Sequence, residues 1–87
     1  YDVISPAQCR AGRALVRLSQ AELAQAAEVA TKTIADFERE VDRGLQRRTL
    51  RAIQAALEAA GVEFIPRNGG GPGVRLRTDA GGAGHAG

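Results

Sequence analysis

Apolar residues in the first part of the chain recur every three or four positions, which is the spacing of one helical face. Ser5 and Pro6 mark the start of this first predicted helix, because Ser caps free N–H groups and Pro at the first position gives up no hydrogen bond. We expect the helix to end near Leu18. Its buried stripe is predicted to contain Cys9, Gly12 and Val16, with Ala11, Leu15 and Leu18 alongside.

Two further helices are predicted close together. Ser19 and Glu22 have the spacing of a capping box, in which each side chain accepts a hydrogen bond from the other residue's backbone N–H. The inner face of this second helix is predicted to contain Leu23, Ala24 and Ala27. After about three residues a third helix follows, with Ile34 and Phe37 facing the core. Two short helices joined in this way are typical of a helix-turn-helix, whose second helix is exposed.

Residues 39–48 are polar and lack periodicity, so we predict a loop or an irregular helix end there. A fourth helix follows, and Gly61 stands at its end, where a left-handed residue is favoured. Its buried stripe is predicted to contain Leu50, Ile53, Leu57 and Ala60.

The hydrophobic period then changes from helical to two. Val62 and Phe64 alternate with Glu63 and Ile65. After a segment rich in Pro and Gly, Val74 and Leu76 alternate with Arg75 and Arg77. This pattern predicts a β-hairpin. We therefore divide the chain into a helical domain over residues 1–61, a hairpin over residues 62–78 and a Gly-rich tail over residues 79–87 that we expect to be disordered.

Composition agrees with one small helical domain. The chain has 87 residues, 44% of them hydrophobic but only 3% aromatic, so its core must be built mainly from small aliphatic side chains. Cys9 is the only cysteine and cannot form an internal disulfide. No apolar run is long enough for a signal peptide or a membrane span, so we expect a cytoplasmic protein with no membrane partner.

The distribution of charge is more informative than the formal net charge of +2. The acidic residues are more scattered, whereas all the arginines fall into three groups. The groups are Arg10, Arg13 and Arg17; Arg39, Arg43, Arg47, Arg48 and Arg51; and Arg67, Arg75 and Arg77.

Neither a metal site nor enzyme chemistry is indicated. His85 has no Cys or carboxylate neighbours at ligand spacing, and Cys9 has no His partner for nucleophilic catalysis. The glycine-rich residues 68–73 lack the Lys-Ser/Thr ending of a phosphate-binding loop, so a hairpin turn explains them better. We expect a protein that is not an enzyme and needs no cofactor.

Residues 18–37, LSQAELAQAAEVATKTIADF, resemble the Cro and lambda-repressor-like helix-turn-helix family, also called the xenobiotic-response-element type. The resemblance covers about residues 5–60 and implies a mainly α, four-helix DNA-binding domain, here followed by the β-hairpin. Its marks are Leu18-Ser19-Gln20, Glu22-Leu23-Ala24, Val29, Thr33-Ile34, Phe37-Glu38 and Arg13 in the preceding helix.

This resemblance also implies residue roles. Contacts to DNA bases are expected from the exposed face of the third helix, at Ala30, Thr31, Lys32 and Asp36. Contacts to DNA phosphates are expected from Ser19, Gln20, Thr33, Arg43, Arg47 and Arg48. Arg13 and Glu38 are expected to form a partly buried ion pair between helices.

The sequence departs from the family pattern at two usual glycines. Glu28 stands in the turn between the second and third helices, and Glu40 stands at the end of the third helix. Each places a negative charge near the DNA, and Glu28 is expected to adopt a positive φ unless the turn is rebuilt. The hairpin is a third departure, since the family more often continues with a fifth helix.

We expect a homodimeric transcriptional regulator, by default a repressor, that binds a palindromic operator in double-stranded DNA at the nucleoid. One such module contacts too few base pairs to be specific in a genome. Dimerisation is expected through Val62, Phe64, Val74 and Leu76 of the hairpin.

Two alternatives remain open. One is an antitoxin whose tail folds on a toxin. The other is a protein-interaction module, such as an anti-activator, whose acidic face would repel DNA. That face would contain Asp36, Glu38, Glu40 and Asp42.

Overall fold

A computed structural model describes residues 4–40, 45–66 and 71–77 of the chain. It confirms a mainly helical chain with a small antiparallel hairpin after the helices. The elements are α1 (Pro6–Val16), α2 (Gln20–Ala27), α3 (Thr31–Glu38), α4 (Arg47–Ala59), β1 (Val62–Ile65) and β2 (Gly73–Leu76). Arg43 and the tail over residues 79–87 lie outside the described residues.

The cap predicted at Ser5 is present at the start of α1, and Gln8 completes it as a capping box. Ser5 Oγ accepts from the backbone N–H of Gln8 at 3.1 Å, and Gln8 Oε1 accepts from the backbone N–H of Ser5 at 2.9 Å. The helix ends at Val16, two residues before the expected Leu18. It ends there because Arg17 takes the left-handed conformation, with φ 59°, and its N–H turns back to the carbonyl of Ala14.

The buried face of α1 differs in part from the expected stripe. Cys9 and Gly12 are buried, and Val16 and Leu18 pack against the core. The expected burial of Ala11 and Leu15 is wrong, since both are exposed. In the first turn, Gln8 is buried instead, and its Nε2 donates to the carbonyl of Gly73 at 3.0 Å and ties α1 to the hairpin.

Helices α2 and α3 pack against each other and are joined by residues 28–30. The capping box of α2 is confirmed, with Ser19 Oγ 3.0 Å from the N–H of Glu22 and Glu22 Oε1 2.8 Å from the N–H of Ser19. The expected inner residues of both helices are buried: Leu23, Ala24, Ala27, Ile34 and Phe37.

Glu28 and Glu40, the two departures from the glycines of the family that the sequence resembles, both have left-handed backbones. Glu28 has φ 61° and Glu40 has φ 62°. The chain therefore keeps the backbone geometry that glycine would favour, although a residue with a Cβ is strained there.

Helix α4 begins at Arg47, inside the segment expected to be irregular, and has no side-chain cap at Gln46. Ile53 and Leu57 are fully buried as expected, and Leu50 packs against the core. The expected burial of Ala60 is wrong: it follows the last helical residue, Ala59, and is exposed. Gly61 then turns the chain into β1 with φ +113°.

The hairpin covers one side of the helices, because it contacts both α1 and α4. Strands β1 and β2 pair Val62 with Leu76 and Phe64 with Val74. Val62 is fully buried and lies close to Gly12, where an added Cβ would come within 3.5 Å of Val62 Cγ1. The hairpin is thus part of the core. Among the described residues, no helix has the length and apolar character needed to cross a membrane.

Candidate nucleic-acid interface

A buried carboxylate fixes the position of α3. Glu38, at the end of α3, is only 2% exposed, and both of its oxygens accept from Arg13 of α1. The contacts of Arg13 Nε with Oε2 and of Arg13 Nη2 with Oε1 are both 2.7 Å long. Arg13 also donates to the carbonyl of Leu18 at 3.0 Å. The ion pair expected from the sequence therefore joins α1 to α3 through a two-point contact.

Three more side chains complete this cluster, and the sequence did not assign them to it. Gln20 Nε2 of α2 donates to Glu38 Oε1 at 3.1 Å, and the Cys9 thiol donates to Oε2 at 3.0 Å. Arg10 donates to the backbone carbonyl of Glu38. The carboxylate thus links α1, α2 and α3, and only the Arg13 partner was expected.

The cluster changes the ionisation of its members. Burial opposes ionisation of Glu38, but hydrogen bonds from Arg13, Cys9 and Gln20 together hold the pKa of its carboxyl below the usual 4.5. Burial, followed by the hydrogen bond to Glu38, raises the pKa of the Cys9 thiol far above its usual 9.0. At neutral pH Glu38 is therefore charged, and Cys9 is a protonated core residue.

The opposite face of α3 is exposed and polar. Ala30 precedes the helix, Thr31 and Lys32 form its first turn, and all three are exposed, while Thr33 is half-buried. Asp36, one turn later, accepts from Lys32 Nζ at 2.7 Å and from Arg39 Nη2 at 2.9 Å. These hydrogen bonds, the one from Lys32 first, lower the pKa of the Asp36 carboxyl. Of the four expected base-contacting residues, Lys32 and Asp36 are therefore in direct contact, and Arg39 joins them.

Arg39 was not assigned a role from the sequence. It lies three residues after Asp36 and seven after Lys32, a spacing that places all three on one side of a helix. That spacing was an available signal. Because α3 was expected to end at Glu38, Arg39 was assigned to a loop. The backbone N–H of Arg39 nevertheless continues the helical pattern by bonding to the carbonyl of Ala35.

Of the expected phosphate-contacting residues, four lie at the starts of α2 and α4, and Thr33 lies in α3. Ser19 caps α2 with its hydroxyl, and the Gln20 side chain is held by Glu38. Arg47 and Arg48 are exposed in the first turn of α4. Arg43 lies outside the described residues.

The start of α4 is electrostatically unusual. A helix N-terminus carries a partial positive charge that favours anions and disfavours cations. Here the first two residues are arginines, and no acidic residue stands in the first turn. Arg48 Nη2 contacts Gln46 Oε1, a neutral group, at 3.1 Å. A phosphate at this end would be favoured by both the backbone and the side chains.

The expected dimer residues differ strongly in exposure. Val62 is 0% exposed within its own chain, so its predicted dimer contact is wrong. Phe64 and Val74 are half-buried against the core, and Leu76 is 51% exposed. On the outer face of the hairpin, Glu63 and Arg75 form an exposed two-point ion pair at 3.1 Å.

Within the part of the chain that the structure describes, no three His, Cys, Asp or Glu side chains are grouped as metal ligands. No protein-family model and no curated protein matches the sequence.

Proposed function

We propose that this protein is a sequence-specific regulator of transcription that binds double-stranded DNA through α2, residues 28–30 and α3, as a helix-turn-helix of the Cro and lambda-repressor-like type. The observation that carries the proposal is the two-sided character of α3. One side is anchored by Ile34, Phe37 and Glu38, and the other presents polar side chains suited to base edges. In this proposal α3 enters the major groove.

The anchoring of α3 supports this role. Side chains that discriminate bases must be held within a fraction of an ångström, which requires a rigid supporting layer. The Glu38 carboxylate supplies such a layer through its hydrogen bonds to Arg13, Gln20 and Cys9. A surface helix without a binding role would not need such a network of buried hydrogen bonds.

The arginines at the start of α4 support phosphate binding beside α3. Arg47 and Arg48 lie at a helix start, where the helix dipole adds a cost to any positive charge. A DNA phosphate at this end would offset that cost. These arginines position the protein on DNA without selecting sequence.

A second copy of the chain completes the proposed regulator. The backbone N–H of Arg77 bonds to the carbonyl of Gly61, and bonded pairs alternate along an antiparallel ladder. The backbone groups of Val74 and Leu76 therefore face the outer edge of β2. Pairing of two β2 edges about a two-fold axis would satisfy these groups and cover Leu76. The dimer would bind a palindromic operator and repress by blocking polymerase.

The acidic interaction module is less well supported than DNA binding. Glu38 is buried and paired with Arg13, so it cannot belong to an acidic surface. Asp36 is neutralised by Lys32 and Arg39. Asp42 lies outside the described residues, which leaves Glu40 as the one exposed carboxylate of that face among the residues that are described. The antitoxin alternative depends on residues 79–87, which also lie outside them.

Selection from random DNA duplexes tests the proposed function. We expect the full chain to enrich a palindrome whose half-sites lie about 10 base pairs apart or at a multiple of that spacing. Its affinity for the selected duplex should fall steeply as salt is raised. Enrichment of no sequence, together with no salt-dependent binding, would overturn the proposal.

A further inference from the structure

Asp36 lies between two cations on the exposed side of α3. Its two carboxylate oxygens are divided between them, Oδ2 contacting Lys32 Nζ and Oδ1 contacting Arg39 Nη2. The cationic side chains are 82% and 67% exposed, whereas the Asp36 side chain is 15% exposed. The carboxylate is therefore largely covered by the two groups that it neutralises.

This arrangement has little use as a stabilising device. Ion pairs whose cations remain in solvent contribute little to folding, because water screens them and both long side chains lose freedom. The fixed contacts of α3 are on its other side, at Ile34, Phe37 and Glu38. The main consequence of the triad of Lys32, Asp36 and Arg39 is electrostatic, since the carboxylate cancels one of the two positive charges on this surface.

We propose that Asp36 determines specificity by restraining Lys32 and Arg39 in the unbound protein, so that these cations are poorly available to DNA of arbitrary sequence. The inference rests on the proposed DNA binding. In addition to contacting a base, Asp36 would control how available these two cations are to DNA.

An exchange of partners explains how the restraint acts. On arbitrary DNA, both cations must leave the carboxylate to reach phosphates, and Asp36 is then left close to a polyanion. On a matching site, the N4 amino group of a cytosine donates to Asp36 and takes the place of the departing cations. Lys32 and Arg39 are then released to a guanine edge or a phosphate. Only the matching site therefore replaces the hydrogen bonds that Asp36 loses when the cations leave.

The test compares Asp36→Asn with Glu58→Gln in the full chain. Both substitutions remove one negative charge, but Glu58 is exposed near the end of α4, where its carboxylate contacts the neutral Gln54. Binding of a random-sequence duplex and of the selected duplex is measured by fluorescence anisotropy across a range of salt concentrations. Melting temperatures establish that both variants are folded.

We expect Asp36→Asn to raise affinity for the random duplex about five- to tenfold at about 0.1 M salt, the effect of about one additional phosphate contact. Its salt dependence should steepen by about 0.9 in the log–log slope. The ratio of specific to random affinity should fall, and a repeated selection should replace one cytosine per half-site by adenine, which Asn recognises. Glu58→Gln should leave the ratio unchanged.

Three results would overturn the inference. If Glu58→Gln raises random-duplex binding as much as Asp36→Asn, net charge alone is responsible. If the wild-type protein binds its selected site but Asp36→Asn leaves both affinities unchanged, the restraint does not exist and the proposed function stands. If neither protein binds any duplex, the proposed function fails, and the inference fails with it.

Discussion

Loss of the Glu38 carboxylate should weaken folding, because this group is 2% exposed and paired with Arg13. Because Arg13 would be left without its two-point partner, Glu38→Gln should lower the free energy of unfolding by about 3 kcal/mol, near the low end for breaking a buried pair. The low end applies because the Arg13 side chain is 21% exposed. Urea denaturation measures the effect, and Glu58→Gln serves as a surface control expected to change stability by less than about 0.5 kcal/mol. Equal midpoints for the two variants would mean that the pair is not stabilising.

The same carboxylate predicts a pH dependence. The pKa of Glu38 is lower in the folded than in the unfolded protein, so its contribution is present above the ordinary value of 4.5. The contribution is lost as the pH falls from that value through the lower, folded pKa. The difference in unfolding free energy between wild type and Glu38→Gln should therefore shrink in acid. A difference that stays constant from neutral pH to well below 4.5 would contradict this assignment.

Glu28 and Glu40 carry backbone strain that glycine would relieve. Each has a positive φ, which costs a residue with a Cβ about 1–2 kcal/mol, partly offset by the greater freedom of glycine in the unfolded chain. We expect Glu28→Gly to raise the free energy of unfolding by about 0.5–1 kcal/mol, measured by thermal or urea denaturation. The control is Gln25→Gly, at an exposed position inside α2, which should destabilise the protein by about 1 kcal/mol. A loss of stability in both variants would show that Glu28 is not strained.

At the scale of elements, the start of α4 offers a matched pair of substitutions. Gln46 occupies the N-cap position without a side-chain cap. Gln46→Ser and Gln46→Asp should each raise the free energy of unfolding by about 1 kcal/mol, because both side chains accept from free N–H groups. If this end binds phosphate, only Gln46→Asp should weaken DNA binding, since it adds negative charge beside Arg47 and Arg48. Equal binding by the two variants would place the phosphate elsewhere.

Local signals in the sequence predicted most of the elements. The Ser19 and Glu22 spacing, the period of the apolar residues in α2 to α4 and the change to period two after Gly61 each reflect interactions between near neighbours. The burial of Gln8 was not predictable in this way, because its partner, Gly73, is 65 residues away. That contact buries Gln8 in the first turn of α1, whereas Ala11 and Leu15, three and seven residues later, are exposed.

The candidate site was predictable to a similar degree. The resemblance supplied the pair of Arg13 and Glu38 and the polar residues of α3. It did not supply the thiol of Cys9 or the amide of Gln20 as partners of Glu38, since both depend on how three helices meet. Val62 was assigned to a dimer because alternation in a strand shows which residues share a face. It does not show whether that face packs on the helices of the same chain or on a second chain.

At the scale of the whole molecule, the hairpin should join two chains. Leu76 is 51% exposed and lies beside the outer edge of β2, so Leu76→Lys should disturb a dimer without disturbing the core. We expect a folded protein that sediments as a monomer at concentrations where wild type is dimeric, with weaker operator binding. Circular dichroism checks the fold. A Leu76→Lys protein that remains dimeric would move the interface to the helices.

The central claim is that α3 selects bases while the start of α4 holds phosphates, and two alanine variants separate these roles. Lys32→Ala should weaken binding to the selected duplex by about 1–3 kcal/mol and binding to a shuffled duplex by less. Arg48→Ala should weaken binding to both duplexes about equally and make the log–log salt slope shallower by about one unit. The decisive measurement is the affinity of both variants for both duplexes across salt. If neither substitution changes binding to either duplex, the account of α3 and α4 as a DNA interface is wrong.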